Sequence, residues 1–214
     1  MNNICYIVGA SVTDGMYIDK REGDLVIAAD GGLASLEEIG IPPDLCVGDF
    51  DSLGHIPNIE NTVCHPVEKD DTDTALAISE GTDRGYGAFV IYGGLGGRLD
   101  HTIANIQSCS GAAKRGAVCA LWGEGSAVCV IPEGYRLTFN RDNTGTVSVF
   151  SPDRTEGVCI EGLKYTVSGA SLTSAFPLGV SNEFVGKDAA VYAEKGILIV
   201  MWNEDSRSLT EKIR

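Results

Sequence analysis

The sequence is short of positive charge. Lysine and arginine together number 16 against 30 aspartates and glutamates, which leaves a net charge of −14. A nucleic-acid groove needs clustered Lys and Arg, and an anionic membrane surface attracts basic segments, so neither is an expected partner. The acidic balance suits a cationic substrate instead, and a polyphosphate would need a metal to offset the repulsion. Zinc chemistry is missing as well: the seven cysteines are odd in number, no two are spaced C-x-x-C, and no Cys or His pair has finger spacing. Most cysteines sit in apolar runs, such as Val118-Cys119-Ala120, Val128-Cys129-Val130 and Val158-Cys159-Ile160. They read as small buried hydrophobes in a reducing compartment. Long hydrophobic stretches are absent: the longest, Ile197 to Trp202, falls far short of the roughly 20 residues that cross a bilayer. Met1-Asn2-Asn3-Ile4 lacks the basic opening of a signal peptide. The expectation is a cytoplasmic protein.

What is present is a globular composition, 214 residues with 43% hydrophobic and 21% charged, enough for one large domain or two small ones. Up to about Gly123, apolar strand-like runs alternate with helix-like segments. The strands are Ile4–Val8, Leu25–Ala29, Leu45–Val47, a segment starting at Thr62, Ala88–Tyr92 and Val118–Trp122. The helices are Gly32–Ile39, Thr74–Glu80 and Leu99–Arg115. Continuous apolar strands alternating with helices predict a mostly parallel sheet covered on both faces. Beyond Gly123 the segments become short and β-rich, at Ala127–Ile131, Tyr135–Phe139, Thr146–Phe150, Val158–Ile160, Ala189–Ala193 and Ile197–Met201, separated by turn residues and with no helical period of any length. That pattern predicts an all-β sandwich. The expected division is 1–124 for the α/β part and 125–214 for the β part, packed directly on each other.

Every polar or glycine-rich cluster of the first part lies just past the carboxyl end of a strand, the edge at which open parallel sheets bind ligands. Asp30-Gly31-Gly32 follows Leu25–Ala29, and Asp30 either starts a turn or accepts hydrogen bonds from a ribose or base. Gly48-Asp49-Phe50-Asp51-Ser52 follows Leu45–Val47. In extended backbone, Asp49 and Asp51 point to the same side, which suits a hard cation such as Mg²⁺; an ordinary Asp/Ser turn is the other reading. Lys69-Asp70-Asp71-Thr72-Asp73 precedes a helix, so one of these residues caps it and at least one carboxylate is left for other work. Gly93-Gly94-Leu95-Gly96-Gly97 lacks both the dinucleotide and the P-loop spacing. It is either a phosphate-cradling loop of another type or a tight turn. Arg98 can clamp phosphate oxygens. Asp100 can act in the site or simply complement the helix dipole, and His101 can pack or act.

Taken in order, Ala29-Asp30-Gly31-Gly32, Pro43-Asp44-Leu45 leading into Gly48–Ser52, Glu68–Thr74 and Gly93–His101 resemble the motifs of the thiamine pyrophosphokinase family. Gly162-Leu163-Lys164-Tyr165 and Ser181-Asn182-Glu183-Phe184 look like that family's C-terminal motifs. The resemblance implies a nucleotide-binding catalytic α/β domain, a thiamine-binding β-sandwich domain, a homodimer, and Mg²⁺-dependent transfer of the diphosphate of ATP to the hydroxyl of thiamine, leaving AMP. It implies that Asp49, Asp51 and Asp73 hold Mg²⁺, and that Lys69 and Arg98 offset phosphate charge. Asp100, or in second place Asp70, would orient or deprotonate the thiamine hydroxyl. Nucleotide contacts would come from Asp30, Gly31, Lys69, Asp70, Thr72, Gly93, Gly94, Gly96 and Gly97, and thiamine contacts from Asp100, Ser181, Asn182 and Glu183. Two other readings are a Mg²⁺-dependent phosphohydrolase with an aspartyl nucleophile and a non-catalytic thiamine- or nucleotide-binding module.

Overall fold

The computed structural model describes residues 3–10, 14–48, 62–64 and 71–214. Its first strands are the apolar runs. Cys5–Val8 (β1), Leu25–Ala29 (β2), Leu45–Gly48 (β3), Thr62–Cys64 (β4), Ala88–Tyr92 (β5) and Val118–Gly123 (β6) pair in parallel in the order β6-β5-β1-β2-β3-β4. Among the described residues, the helices between them are Gly32–Glu38 (α1), Asp73–Asp83 (α2) and Leu99–Ala113 (α3). Right-handed crossovers send helices to one face when the chain moves outward from β1 and to the other when it moves back. So Leu33 and Leu36 of α1 pack on the face carrying Tyr6, Val8 and Ala28, whereas Ala77, Ile78, Cys109 and Ala112 of α2 and α3 pack on the face carrying Ile7, Ile27 and Ile91. The strand order turns back at β1, which makes the gap between β1 and β5 the topological switch point.

The sheet does not stop at β6. Glu124 and Gly125, with φ of 51° and 72°, form a tight hairpin into Ser126–Ile131 (β7), which runs antiparallel to β6. Thr146–Phe150 (β9), Gly179–Glu183 (β12) and Leu198–Asn203 (β14) continue it outward as β7-β14-β9-β12, making ten strands. A second sheet of four, β11-β10-β13-β8, contains Leu137–Phe139 (β8), Arg154–Glu161 (β10), Val167–Thr173 (β11) and Ala189–Tyr192 (β13). It packs on the face of the large sheet that α1 also covers, through Phe139, Val158, Ile160 and Val191 against Val147, Val149, Val200 and Trp202. Phe139 meets Trp202 and Phe184 edge to face at 5.2 and 5.1 Å. The expected parallel sheet and antiparallel sandwich are therefore both present.

Two strands and one helix were not anticipated. β11 and β12 carry Ser, Gly and Thr in place of an apolar alternation. Ser206–Ile213 (α4) corrects the expectation of a helix-free second half. Its only large buried apolar residues are Leu209 and Ile213, too few in eight residues to show a period. Asp205 caps it by accepting from Ser208 N at 3.0 Å, and it packs back on β5 and β6 of the parallel half. There Ser206 donates to Gly15 O at 2.6 Å, and Arg214 pairs with the buried Asp24 at 2.7 Å. Burial alone pushes the Asp24 carboxyl up, but the Arg214 guanidinium and the amides of Ile4 and Arg21 outweigh it and hold it below its ordinary range. Cys5, Cys46, Cys109, Cys119 and Cys129 are buried free thiols, and burial pushes Cys46 up to about 11.

Candidate active site

The cleft lies at the switch point. β2 ends in Asp30, which takes a left-handed conformation (φ 46°) with its amide bonded to Val47 O at 2.8 Å. α1 begins two residues later, at Gly32, where a Cβ would lie 1.8 Å from Val8 O. Only glycine lets the helix start so close to β1, and that contact sets Asp30 at the mouth of β1 and β2. On the other side, β5 runs into Gly93, Gly96 and Gly97, with φ of 69°, 79° and 60°. This backbone is open to glycine at little steric cost. Asn105 of α3 donates from Nδ2 to Gly94 O at 3.0 Å. From the third side, Thr72 caps α2 by accepting from Ala75 N at 3.2 Å. The capping role thus falls to Thr72, and Asp73 stands in the first helical turn.

These elements enclose about 190 Å³, walled by Gly9, Asp30, Thr72, Asp73, Gly93, Gly94 and Gly96, with His101 and Asn105 from α3. The wall is chemically mixed: two carboxylates face a glycine loop and a helix N-terminus, which favours anions. Asp49, Asp51, Lys69 and Asp70 lie outside the described residues. Among the described residues no group of three His, Cys, Asp or Glu side chains forms a metal cluster.

Arg98 and Asp100 are exposed and lie outside the wall formed by the described residues. They bind each other, Nε to Oδ1 at 3.1 Å and Nη2 to Oδ2 at 2.6 Å. The Arg98 guanidinium holds the Asp100 carboxyl below its ordinary range, and the carboxylate in turn raises Arg98. Gly31 packs its backbone toward Ala10, where a Cβ would come within 3.0 Å of the Ala10 side chain.

The residues expected to contact thiamine stand elsewhere. Ser181, Asn182 and Glu183 belong to β12, the outermost strand of the large sheet, five strands away from β5. At about 4.8 Å per strand that is roughly 24 Å along the sheet. Asn182 is buried, and its side chain is engaged within the chain: Oδ1 accepts from Tyr165 N at 2.9 Å and from Glu183 N at 2.9 Å, and Nδ2 donates to Tyr165 O at 2.7 Å. It thereby shapes the turn that displays Tyr165, which is 60% exposed. Glu183 pairs with Lys164 at 2.7 Å, and Lys164 Nζ stands 5.5 Å from the Tyr165 ring centre. Ser181 holds φ 59°, is exposed, and its amide donates to Ser148 Oγ at 3.1 Å.

Sequence reasoning did not single out Gly9 and Asn105, which line the cleft, or the exposed Tyr165 by itself. Gly9 was findable, because it follows the first apolar strand directly. Asn105 is a polar residue on the stripe that continues with Cys109 and Ala112. Tyr165 stood in the Gly162–Tyr165 motif but was given no role there, since the Asn182 bonds to its main chain show only in the structure.

The chain matches two family models in order: the thiamin pyrophosphokinase catalytic domain over residues 20–121 and the thiamin pyrophosphokinase vitamin B1 binding domain over residues 134–198. A curated relative, thiamine pyrophosphokinase from Bacillus subtilis (strain 168), is 30% identical over 192 residues, covering 86% of this chain and 89% of the relative. The crystal structure of the thiamine pyrophosphokinase from Bacillus subtilis superposes with a TM-score of 0.80 at 25% identity, covering 95% of this chain and 100% of that one. Yeast thiamin pyrophosphokinase shares the fold at a TM-score of 0.67 and 16% identity, covering 98% of this chain and 89% of that one. An α/β half with its cleft at the switch point, an antiparallel sandwich after it, and a relative matched over most of both chains lead to one assignment: the chain belongs to the thiamine pyrophosphokinase family.

Proposed function

We propose that the chain transfers the β,γ-diphosphate of ATP to the hydroxyl of thiamine, giving thiamine diphosphate and AMP with Mg²⁺ as cofactor, and that it does so in the cytoplasm as a homodimer. The observation that carries this reading is the cleft itself, in which Asp30 and Asp73 face a glycine loop at the switch point. Transfer of this kind needs mostly positioning and charge neutralisation; the wall supplies the first, and its carboxylates would supply the second through a bound cation. The glycine loop and the start of α3 receive phosphate oxygens, and Asp30 holds the nucleoside. The wall fits Mg²⁺ in donor chemistry, since Asp73 offers a hard carboxylate oxygen; Asp49 and Asp51 would complete the set. Bound there, the ion would neutralise phosphate charge.

Arg98 spends its Nε–Nη2 edge on Asp100. The guanidinium fork still has Nη1 donors for a phosphate oxygen. Asp100, held ionised by that pairing, is the acceptor for the hydroxyl proton as the thiamine oxygen attacks the β-phosphorus and the α–β bridging oxygen leaves with AMP. The thiamine side of the reading rests on Tyr165, Ser181 and Glu183. An exposed ring suits a heteroaromatic cation, which would take the place of the Lys164 ammonium that now stands 5.5 Å from the ring centre and pairs with Glu183, and Asn182 serves it by bracing Tyr165. About 24 Å of sheet separates this surface from the cleft of the same chain, which favours a partner copy supplying it.

The test incubates the full chain with ATP, Mg²⁺ and thiamine. AMP and thiamine diphosphate are expected in equal amounts; ADP with thiamine monophosphate, or no thiamine product, overturns the reading. Sedimentation equilibrium is expected to give twice the chain mass, and a monomer active at nanomolar concentration removes the shared-site argument.

A further inference from the structure

We infer that Asn105 is a positioning residue of the nucleotide site, fixing the Gly94–Leu95 peptide so that the glycine loop keeps one face toward the phosphates. This rests on the proposed ATP-binding role of the cleft. α3 faces the sheet with Asn105, Cys109 and Ala112 on successive turns, and Asn105 is only 6% exposed. A carboxamide in an apolar stripe is costly to bury unless it is bonded; leucine would suit the packing better. The amide is bonded, donating from Nδ2 to Gly94 O at 3.0 Å in a buried contact. The carbonyl acceptor also settles which end of the amide faces it.

That bond acts where the chain is loosest. Gly93, Gly96 and Gly97 all hold left-handed φ, and Gly94 has no Cβ to restrain the torsion before the Gly94–Leu95 peptide, so on that side the peptide plane is held by little besides the bond to its carbonyl. Carbonyl and amide point in opposite directions across a trans peptide. Tying the Gly94 carbonyl to α3 therefore turns the Leu95 amide away from the helix. A flip would exchange the two and present an oxygen where a donor stood. Among the described residues, the loop is held by the buried Leu95 side chain, against which Gly123 packs so closely that a Cβ there would lie 3.0 Å from Leu95 Cβ, by a long contact from Thr102 Oγ1 to Gly96 O at 3.5 Å, and by Asn105. Leu95 fixes where the loop sits, and Asn105 fixes which way its central peptide faces. Asn105 also lines the cleft, so the brace lies directly beneath the surface it shapes.

Asn105→Ala and Asn105→Asp test this in the full-length protein. Asn105→Ala is expected to raise the KM for ATP and weaken binding of Mg·ADP by roughly tenfold, the value of one buried hydrogen bond, with the KM for thiamine within about twofold of wild type. In Asn105→Asp the introduced carboxyl donates to Gly94 O only when protonated, and burial beside a carbonyl raises its pKa. Its kcat/KM relative to wild type is expected to climb as pH falls from 8.5 to 6, while the same ratio for Asn105→Ala stays flat. The titratable groups around the position are Asp30, Asp73 and His101 in the cleft wall, Cys109 on α3 and Cys119 on β6; all are shared with wild type and cancel in the ratio. An unchanged ATP KM in folded Asn105→Ala, or a pH-flat ratio in folded Asn105→Asp, overturns the inference. Should either variant fail to fold, the wild type decides: slow exchange of the Asn105 side-chain amide protons supports the brace, and fast exchange with and without Mg·ADP overturns it. A wild type that binds Mg·ADP but forms no thiamine diphosphate removes the proposed activity and leaves this test intact.

Discussion

At the parallel end of the large sheet, Asp30, Asp73 and the loop from Gly93 to Gly97 stand past strand ends and wall a cleft. At the antiparallel end, Asn182 and Glu183 are bonded into their own neighbourhood, to the Tyr165 main chain and to Lys164. The difference follows from connectivity. Parallel strands all finish on one edge and leave through crossovers, so that edge collects loop residues with no strand beyond them to pair with. Antiparallel strands return on themselves, and a polar residue near a strand end meets the returning segment: Leu163 bridges to Phe184, which closes Asn182 over Tyr165. The same residue types therefore line a cleft at one end and bond to returning segments of the chain at the other.

Asp24 breaks the comparison from inside the parallel half, because it is a carboxylate sealed into packing, and it gives the largest expected effect. Asp24→Ala leaves Arg214 buried without its partner and is expected to cost about 3–5 kcal/mol, read by urea unfolding. The Asp24 carboxyl is held below its ordinary range. Its contribution is therefore complete above the unfolded value near ~4 and is lost as pH falls through the lower folded value. Wild type should lose stability on acidification below about pH 4 more steeply than Asp24→Asn. Asp73→Asn sharpens the comparison from the other side: kcat is expected to drop by roughly 10²–10³ with the melting temperature preserved, and a large stability loss with normal turnover would make Asp73 a brace like Asn182. For Asn182→Ala the expectation reverses: about 1–3 kcal/mol of stability is lost, the KM for thiamine rises and the KM for ATP does not. The smallest effect belongs to Lys114→Ala, which opens an exposed pair with Asp153 and is expected to change stability by less than about 1 kcal/mol.

Much of the parallel half was legible because burial on both faces forces continuous apolar runs, and because Asp30 and Gly93 announce strand ends directly. The sandwich was less legible for physical reasons. β12 reads Gly-Val-Ser-Asn-Glu, since an outermost strand needs little apolar alternation, and β11 hides in the same way. α4 is held by Leu209, Ile213 and the contacts of Ser206 and Arg214, a tertiary attachment that leaves almost no periodic trace. Asn105 shows as an interruption of an apolar stripe, but its meaning depends on the position of Gly94 O across the loop. Tyr165 was legible only as the end of the Gly162–Tyr165 motif, since its main chain is held by a partner 17 residues away.

The placement of β14 governs the order in which the molecule can be assembled. This strand, residues 198–203, lies between β7 and β9. Residues 146–150, though made far earlier, have no neighbour linking them to the parallel half until it arrives, and β12 can join only through β9. The side of β5 and β6 that α4 covers waits still longer. From residue 150 until residue 203 a ribosome making this chain thus carries a parallel core with one open flank and an unattached set of strands, and a late segment closes both gaps nearly at once.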